Sequence, residues 1–247
     1  MKKKKGFTLA EILIVLGVIG LVAEMTIPTL SKNMQEKEAI VGIKKTYSML
    51  SQSYTMVVQE NGVPSSWDVT GTPAQVAEQI INIFKPYLKR RVFCGVNMGC
   101  FPDVAYKYLN RAYDFDNLNR RNDFAKIQLS DGTSFGYVGG GVSCNSVVGT
   151  TTALQKVCGV FWADINGHKG PNTVAKDLFM FYLTDEGIIP TGTINDTSIW
   201  GFDGSSGQCK INQQTDGWGC TAWLIYNENM DYLKCSDLSW NGKKKCQ

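Results

Sequence analysis

The chain opens Met1-Lys2-Lys3-Lys4-Lys5-Gly6-Phe7-Thr8-Leu9-Ala10-Glu11. It runs on as Ile-Leu-Ile-Val-Leu-Gly-Val-Ile-Gly-Leu-Val-Ala-Glu-Met-Thr-Ile-Pro-Thr-Leu to Leu30. About 20 apolar residues suffice to cross a bilayer as a helix, so the stretch from Phe7 to Leu30 is long enough. The lysines lie on its N-terminal side, which by the positive-inside rule keeps them in the cytoplasm and sends the remainder outward. Two acids interrupt the run. Glu24 lies about 26 Å beyond Phe7 at 1.5 Å per residue, near the far interface, where a carboxylate reaches water. Glu11 sits one turn in. An acid at the bilayer centre costs roughly 2.5–3.5 kcal/mol and less near the headgroups, but inside a packed bundle it needs a partner. An ordinary export signal is cut after its apolar run, at small residues. Val22-Ala23-Glu24 is a poor site of that kind, and no lipobox cysteine follows the run. Gly17 and Gly20 are three apart, so there is no GxxxG dimer motif.

Lys2 to Lys5, Gly6, Phe7, Thr8, Leu9 and Glu11, with Pro28 further on, resemble the leader and first helix of type IV prepilins and type II secretion pseudopilins. The resemblance covers roughly Lys2 to Pro28. It implies that prepilin peptidase cuts between Gly6 and Phe7 and methylates the new amine of Phe7. It implies assembly with other pilin or pseudopilin subunits at an inner-membrane platform, with Glu11 pairing with the Phe7 amine of a neighbour. It also implies a helix bend at Pro28. The organisation expected is a leader (1–6), a transmembrane and assembly helix (7–30), an amphipathic continuation (31–62) and an extracytoplasmic head (63–247).

Beyond Pro28, Ile40, Ile43, Tyr47, Leu50, Tyr54 and Val57 recur at spacings of three and four, a heptad-like stripe. Asn61-Gly62 is a stop signal. Fewer than three heptads are present, which favours packing on the chain's own head over a coiled coil. One helix from Phe7 to Gln59 would be roughly 80 Å long.

The head carries all eight cysteines. Removing Lys2 to Lys5 with the leader turns the net charge from +3 to −1, so a nucleic-acid partner has no support from overall charge. There is no CxxC pair and only one histidine, which argues against a zinc site of the usual spacing. An even count in an exported domain reads as disulfides. Eight cysteines allow 105 connectivities. Local pairing is the expectation: Cys94–Cys100, Cys144–Cys158, Cys209–Cys220 and Cys235–Cys246, each clamping a Gly- and Asn-rich loop.

Thr72-Pro73 reads as an N-cap with proline at the first helical position. Val76, Ile80, Ile81 and Phe84 mark one face of a helix ending before Pro86. Lys85, Lys89, Arg90 and Arg91 follow as a basic run, read as a solvated face. Residues 125–129 and 134–138 read as a hairpin, 157–163 as a third strand, and 178–183 with Ile188-Ile189 as a second hairpin. Residues 223–232 are open between helix and strand. The fold class expected is α+β: a long N-terminal helix on a small antiparallel sheet, with disulfide-clamped loops.

Asp164-Ile165-Asn166-Gly167-His168, with Asp177 further on, begins like a calcium loop. Some pseudopilins bind calcium in the head, so calcium on Asp164, Asn166 and Asp177 is a candidate. Yet His168 takes the slot of a third oxygen ligand, and Ala175 stands at the twelfth position, where a bidentate acid belongs. The competing reading is a turn held by Asx hydrogen bonds. There is no GxSxG, Walker loop or HExxH, and His168 is the only histidine, so no catalytic residues are assigned. Gly139-Gly140-Gly141 reads as a loop, and Asn195-Asp196-Thr197 matches a glycosylation acceptor.

The function expected is therefore a structural subunit of a type IV pilus or type II secretion pseudopilus. It would be a single-pass inner-membrane protein before assembly, and periplasmic or cell-surface afterwards. The alternatives are a minor pilin binding DNA or another ligand through Lys85–Arg91, and a membrane-anchored enzyme.

Overall fold

The computed structural model describes residues 8–110, 114–139, 143–204, 209–210 and 216–246, leaving aside the side chain of Thr29. The chain divides into two units, Met1–Glu38 and Ala39–Gln247. Helix α1 (Leu9–Asn61) contributes to both.

In the first unit α1 is the one helix among the described residues long and apolar enough to cross a membrane. Its large apolar side chains from Leu9 to Leu30 are all exposed. The helix runs on through Pro28. Proline has no N–H to give to the carbonyl four residues back. Two residues earlier the Thr26 hydroxyl donates to the Val22 carbonyl at 2.9 Å.

The second unit begins at Ala39, the first buried apolar residue of α1. Ile43, Leu50, Tyr54 and Val57 are buried and Ile40 and Tyr47 half-buried, so the stripe packs within its own head. Tyr47 stacks on Phe181 with ring centroids 5.9 Å apart. The Tyr54 hydroxyl donates to the Asp185 carbonyl at 2.7 Å. The helix stops at Asn61, and Gly62 supplies φ +75°, which costs glycine little.

The partner of that stripe is a six-stranded antiparallel sheet in the order β1-β2-β3-β4-β5-β6. The strands are β1 (Arg90–Gly95), β2 (Ala125–Leu129), β3 (Ser134–Val138), β4 (Val157–Asp164), β5 (Leu178–Thr184) and β6 (Ile188–Pro190). Helix α2 (Pro73–Phe84) starts from a Thr72/Gln75 capping box. Its Phe84 meets Phe161 of β4 edge-on at 4.9 Å, on the face that also carries Phe181. Helix α3 (Thr221–Asn227) starts beside β5, where the Thr221 hydroxyl accepts from the Met180 N–H at 3.2 Å, and loops cover the opposite face of the sheet. There Trp162 of β4 packs against Phe115, Phe124 and Trp218. Gly136 of β3 makes room on this face, since a Cβ there would lie 1.9 Å from the Phe124 ring. Both faces of the central strands are thus covered, which is why β5 reads Leu-Phe-Met-Phe-Tyr-Leu-Thr without polar alternation.

Both expected hairpins and the third strand form within a residue or two of the ranges read from sequence. Lys89, Arg90 and Arg91 are exposed, as a solvated run would be, but Arg90 and Arg91 also lie in β1, a strand paired with β2 that the sequence reading did not include. Two charges and two bulges hid its pattern. The open segment 223–232 resolves into α3 and a 3-10 turn at Asp231–Leu233. The cysteines join as Cys94–Cys100, Cys144–Cys158, Cys209–Cys220 and Cys235–Cys246.

Ile43→Ala, at a fully buried position, is expected to lower the head's unfolding free energy by about 2–5 kcal/mol. Val41→Ala, at a position 66% exposed, should change it by less than about 0.5 kcal/mol. Denaturant unfolding of the full chain in detergent checks the pair, and similar losses for both would contradict packing through this stripe.

Candidate functional site

Gly6 and Phe7 lie outside the described residues. The site becomes visible at Thr8. The Thr8 backbone N–H and hydroxyl both donate to Glu11 Oε2, at 2.7 and 2.8 Å. In return the Glu11 N–H points at the Thr8 hydroxyl oxygen at 3.3 Å. This reciprocal pattern is a capping box, and it satisfies donors that the first turn of a helix otherwise leaves bare. It explains how a carboxylate is tolerated at the start of an apolar helix: it sits at the positive end of the helix dipole with two donors in hand. Glu11 Oε1 makes no hydrogen bond among the described residues, so one oxygen remains for a cation. The Thr-x-x-Glu spacing carried this signal in the sequence, and reading Thr8 only as part of the leader pattern missed it.

The other candidate residues meet in the β4–β5 connection. Asp164 Oδ1 accepts from the N–H groups of Asn166 and Gly167 at 3.1 and 2.8 Å, and Oδ2 accepts a short bond from the Tyr106 hydroxyl. Asp177 accepts from the N–H groups of Asn172 and Thr173, both at 2.6 Å. The Ile165 N–H donates to the Asp177 carbonyl at 2.9 Å, which draws the two ends of the loop together. Asn166 gives its side-chain N–H to the Gly170 carbonyl at 3.3 Å. His168 is exposed, with Nδ1 3.0 Å from Gln128 Nε2.

Calcium takes six to eight oxygen ligands. Here every carboxylate oxygen of Asp164 and Asp177 receives a donor, as in an Asx clamp, while the buried Oδ1 atoms of Asn166 and Asn172 have no hydrogen-bond partner among the described residues. The one group of three possible metal-ligand atoms among the described residues joins Cys144, Cys158 and Asp185. Its sulfurs are spent in a disulfide.

Asp164 and Asp177 are both buried, and no cation pairs with either among the described residues. Burial, then the neighbouring Asp177 charge, pushes the Asp164 carboxyl well above its ordinary range. Burial likewise pushes Asp177 up to about 6, against the pull of its N–H donors. The pair therefore holds a proton to higher pH than an ordinary carboxylate does.

Residues 1–23 match the family described as the prokaryotic N-terminal methylation motif, the prepilin-type cleavage and methylation segment of type IV pilins. Neither the curated proteins nor the solved structures yield a match to the chain. The motif supports a type IV pilin-like protein, which implies processing by a peptidase and assembly with other pilin subunits. With the long apolar helix, it fits a membrane-anchored pilin.

A carboxyl whose folded pKa lies above its unfolded value of 3.8 stabilises fully below that value and loses the contribution as pH rises through the folded one. The chain's melting temperature should therefore fall by about 3 °C or more between about pH 5 and about pH 7. In Asp177→Asn, which removes the carboxyl that titrates in this window, the carboxamide oxygen can keep one of the two N–H bonds and the fall should shrink. An equal fall in both proteins would place the titration elsewhere.

Proposed function

We propose that the chain is a structural subunit of a type IV pilus or a type II secretion pseudopilus. In this reading it is made as an inner-membrane precursor with its head outside the cytoplasm. Prepilin peptidase cuts after Gly6 and methylates Phe7, and subunits then polymerise through α1 at an inner-membrane platform. The chain is a substrate of that enzyme and has no catalytic role of its own.

The observation that carries the reading is the methylation motif running directly into an exposed apolar helix whose first turn presents a capped glutamate. Cleavage before the apolar run leaves that run on the mature subunit. Its side chains can exchange lipid for the same segment of other subunits. Glu11, with Oε2 held by Thr8, can turn Oε1 to the methylated amine of a neighbour. Four disulfides in the head agree with an oxidising compartment outside the cytoplasm. In the same reading Asp164, Asn166 and Asp177 clamp the β4–β5 loop without calcium. A melt that rises with millimolar calcium over chelator would contradict that part.

Glu11→Gln keeps size and helix propensity but removes the charge. Subunits recovered in sheared or cross-linked filaments should fall by about tenfold or more, the equivalent of roughly 1.4 kcal/mol per contact, while the chain still accumulates in the membrane. Thr8→Val keeps the charge but frees the carboxylate and should give a smaller loss. Filaments at the parental level from Glu11→Gln would contradict assembly through this residue.

A further inference from the structure

Strand β1 ends the sheet: β2 is its neighbour on one side, and among the described residues no strand follows on the other. Arg90, Arg91 and Val92 are exposed, Val92 at 42%. An open strand edge in water is a template for another strand, and proteins blunt such edges with charge, bulges, brevity or proline. β1 combines two of these devices. Its pairing with β2 is broken by register shifts between Arg90 and Val92 and between Phe93 and Gly95. Lys89, Arg90 and Arg91 form no ion pair among the described residues. Lys85 adds a fourth cation, its Nζ lying 4.6 Å from the centroid of the Phe93 ring. The far edge of the sheet uses the other two devices. β6 has three residues and ends at Pro190, which has no N–H to offer.

We infer that the basic, bulged edge β1 prevents edge-to-edge sheet pairing between copies of this chain. Two copies pairing antiparallel about Val92 would place their Arg91 Cα atoms about 8 Å apart, given roughly 3.4 Å per residue along a strand and 4.8 Å between strands. That distance is about one Debye length at physiological salt, so the repulsion is felt. Lys89 and Arg90 of both copies extend the same field along the edge. The inference does not depend on the filament reading, although a filament would crowd the heads and raise the need for such a guard. It also gives the unpaired cations a role that requires no anionic ligand.

The test places a photo-crosslinking p-benzoylphenylalanine at Val92 in the full chain, which avoids adding a thiol beside the native disulfides. Dimer yield after irradiation is measured in detergent at a fixed protein-to-detergent ratio. The parent is compared at low and high salt, and with a form carrying Lys89→Thr, Arg90→Thr and Arg91→Thr. The parent should give little dimer at low salt, about tenfold more at roughly 1 M salt, where the Debye length falls to about 3 Å, and a similar gain on neutralisation. A neutralised form that melts as the parent does yet gives no more dimer would overturn the inference. If the triple change prevents folding, the salt arm on the parent decides alone, and a yield unchanged by salt overturns it.

Discussion

The head depends on the contact between the stripe of α1 from Ala39 to Val57 and one face of the sheet. Residues at spacings of three and four all point one way on a helix, and here they meet a surface built from Phe161, Phe181 and their neighbours. Without that helix the face would be an open apolar patch of the kind that drives association. Polar groups inside the contact are paired: the Ser53 hydroxyl donates to the Tyr87 carbonyl at 3.2 Å, and Tyr54 reaches Asp185. At the margin, Lys44 pairs with Glu228 at 2.5 Å and Lys45 with Asp131 at 2.7 Å. These ion pairs are largely exposed, so they guide register more than they add stability.

The opposite face has a different problem, because loops cover it and loops carry backbone groups that must be satisfied. The structure meets this with buried polar side chains. Asp196 accepts from the Tyr182 hydroxyl, the Gly192 and Ser198 N–H groups and the Ser198 hydroxyl. Lys126 is fully buried and donates to the carbonyls of Val96, Asn119 and Arg121 at 3.0, 3.1 and 2.5 Å. Asp164 and Asp177 do the same for the β4–β5 loop, at the cost of holding two acids close together. The disulfides add short cross-links, spanning 6 to 14 residues of sequence. A loop layer stapled in this way can be large without long elements of regular structure.

What could be read from the sequence follows from the range of the interactions. The α1 stripe, the Thr72-Pro73 start of α2 and both hairpins rest on local periodicity and turn chemistry, and they were legible. Strand β1 was not, because its character comes from β2, more than thirty residues later, and its own residues read as charge. Trp162 and Gly136 gave no sign of the aromatic layer they help build, since Phe115, Phe124 and Trp218 come from three separate segments. At the N-terminus the order of lysines, glycine, phenylalanine and glutamate was legible as a pattern. The Thr8–Glu11 capping box was equally local and went unread, because the pattern had already given both residues a meaning. The Asp164–Asn166–Asp177 stretch looked like the start of a cation loop. The structure gathers backbone N–H donors on the Asp164 and Asp177 carboxylates and leaves Asn166 Oδ1 without a hydrogen-bond partner, an arrangement that one-dimensional spacing could not show.

The N-terminal motif and the long apolar helix fit a membrane-anchored pilin, and the head carries four disulfides. The central claim is that the leader is removed before the helix rather than the helix with it. Mass spectrometry of the N-terminal peptide, from protein taken from its native membrane or sheared surface fraction, tests it most directly. The account predicts a peptide beginning at N-methylated Phe7. A peptide that still carries Lys2 to Gly6, or one that starts near Thr26, would contradict it.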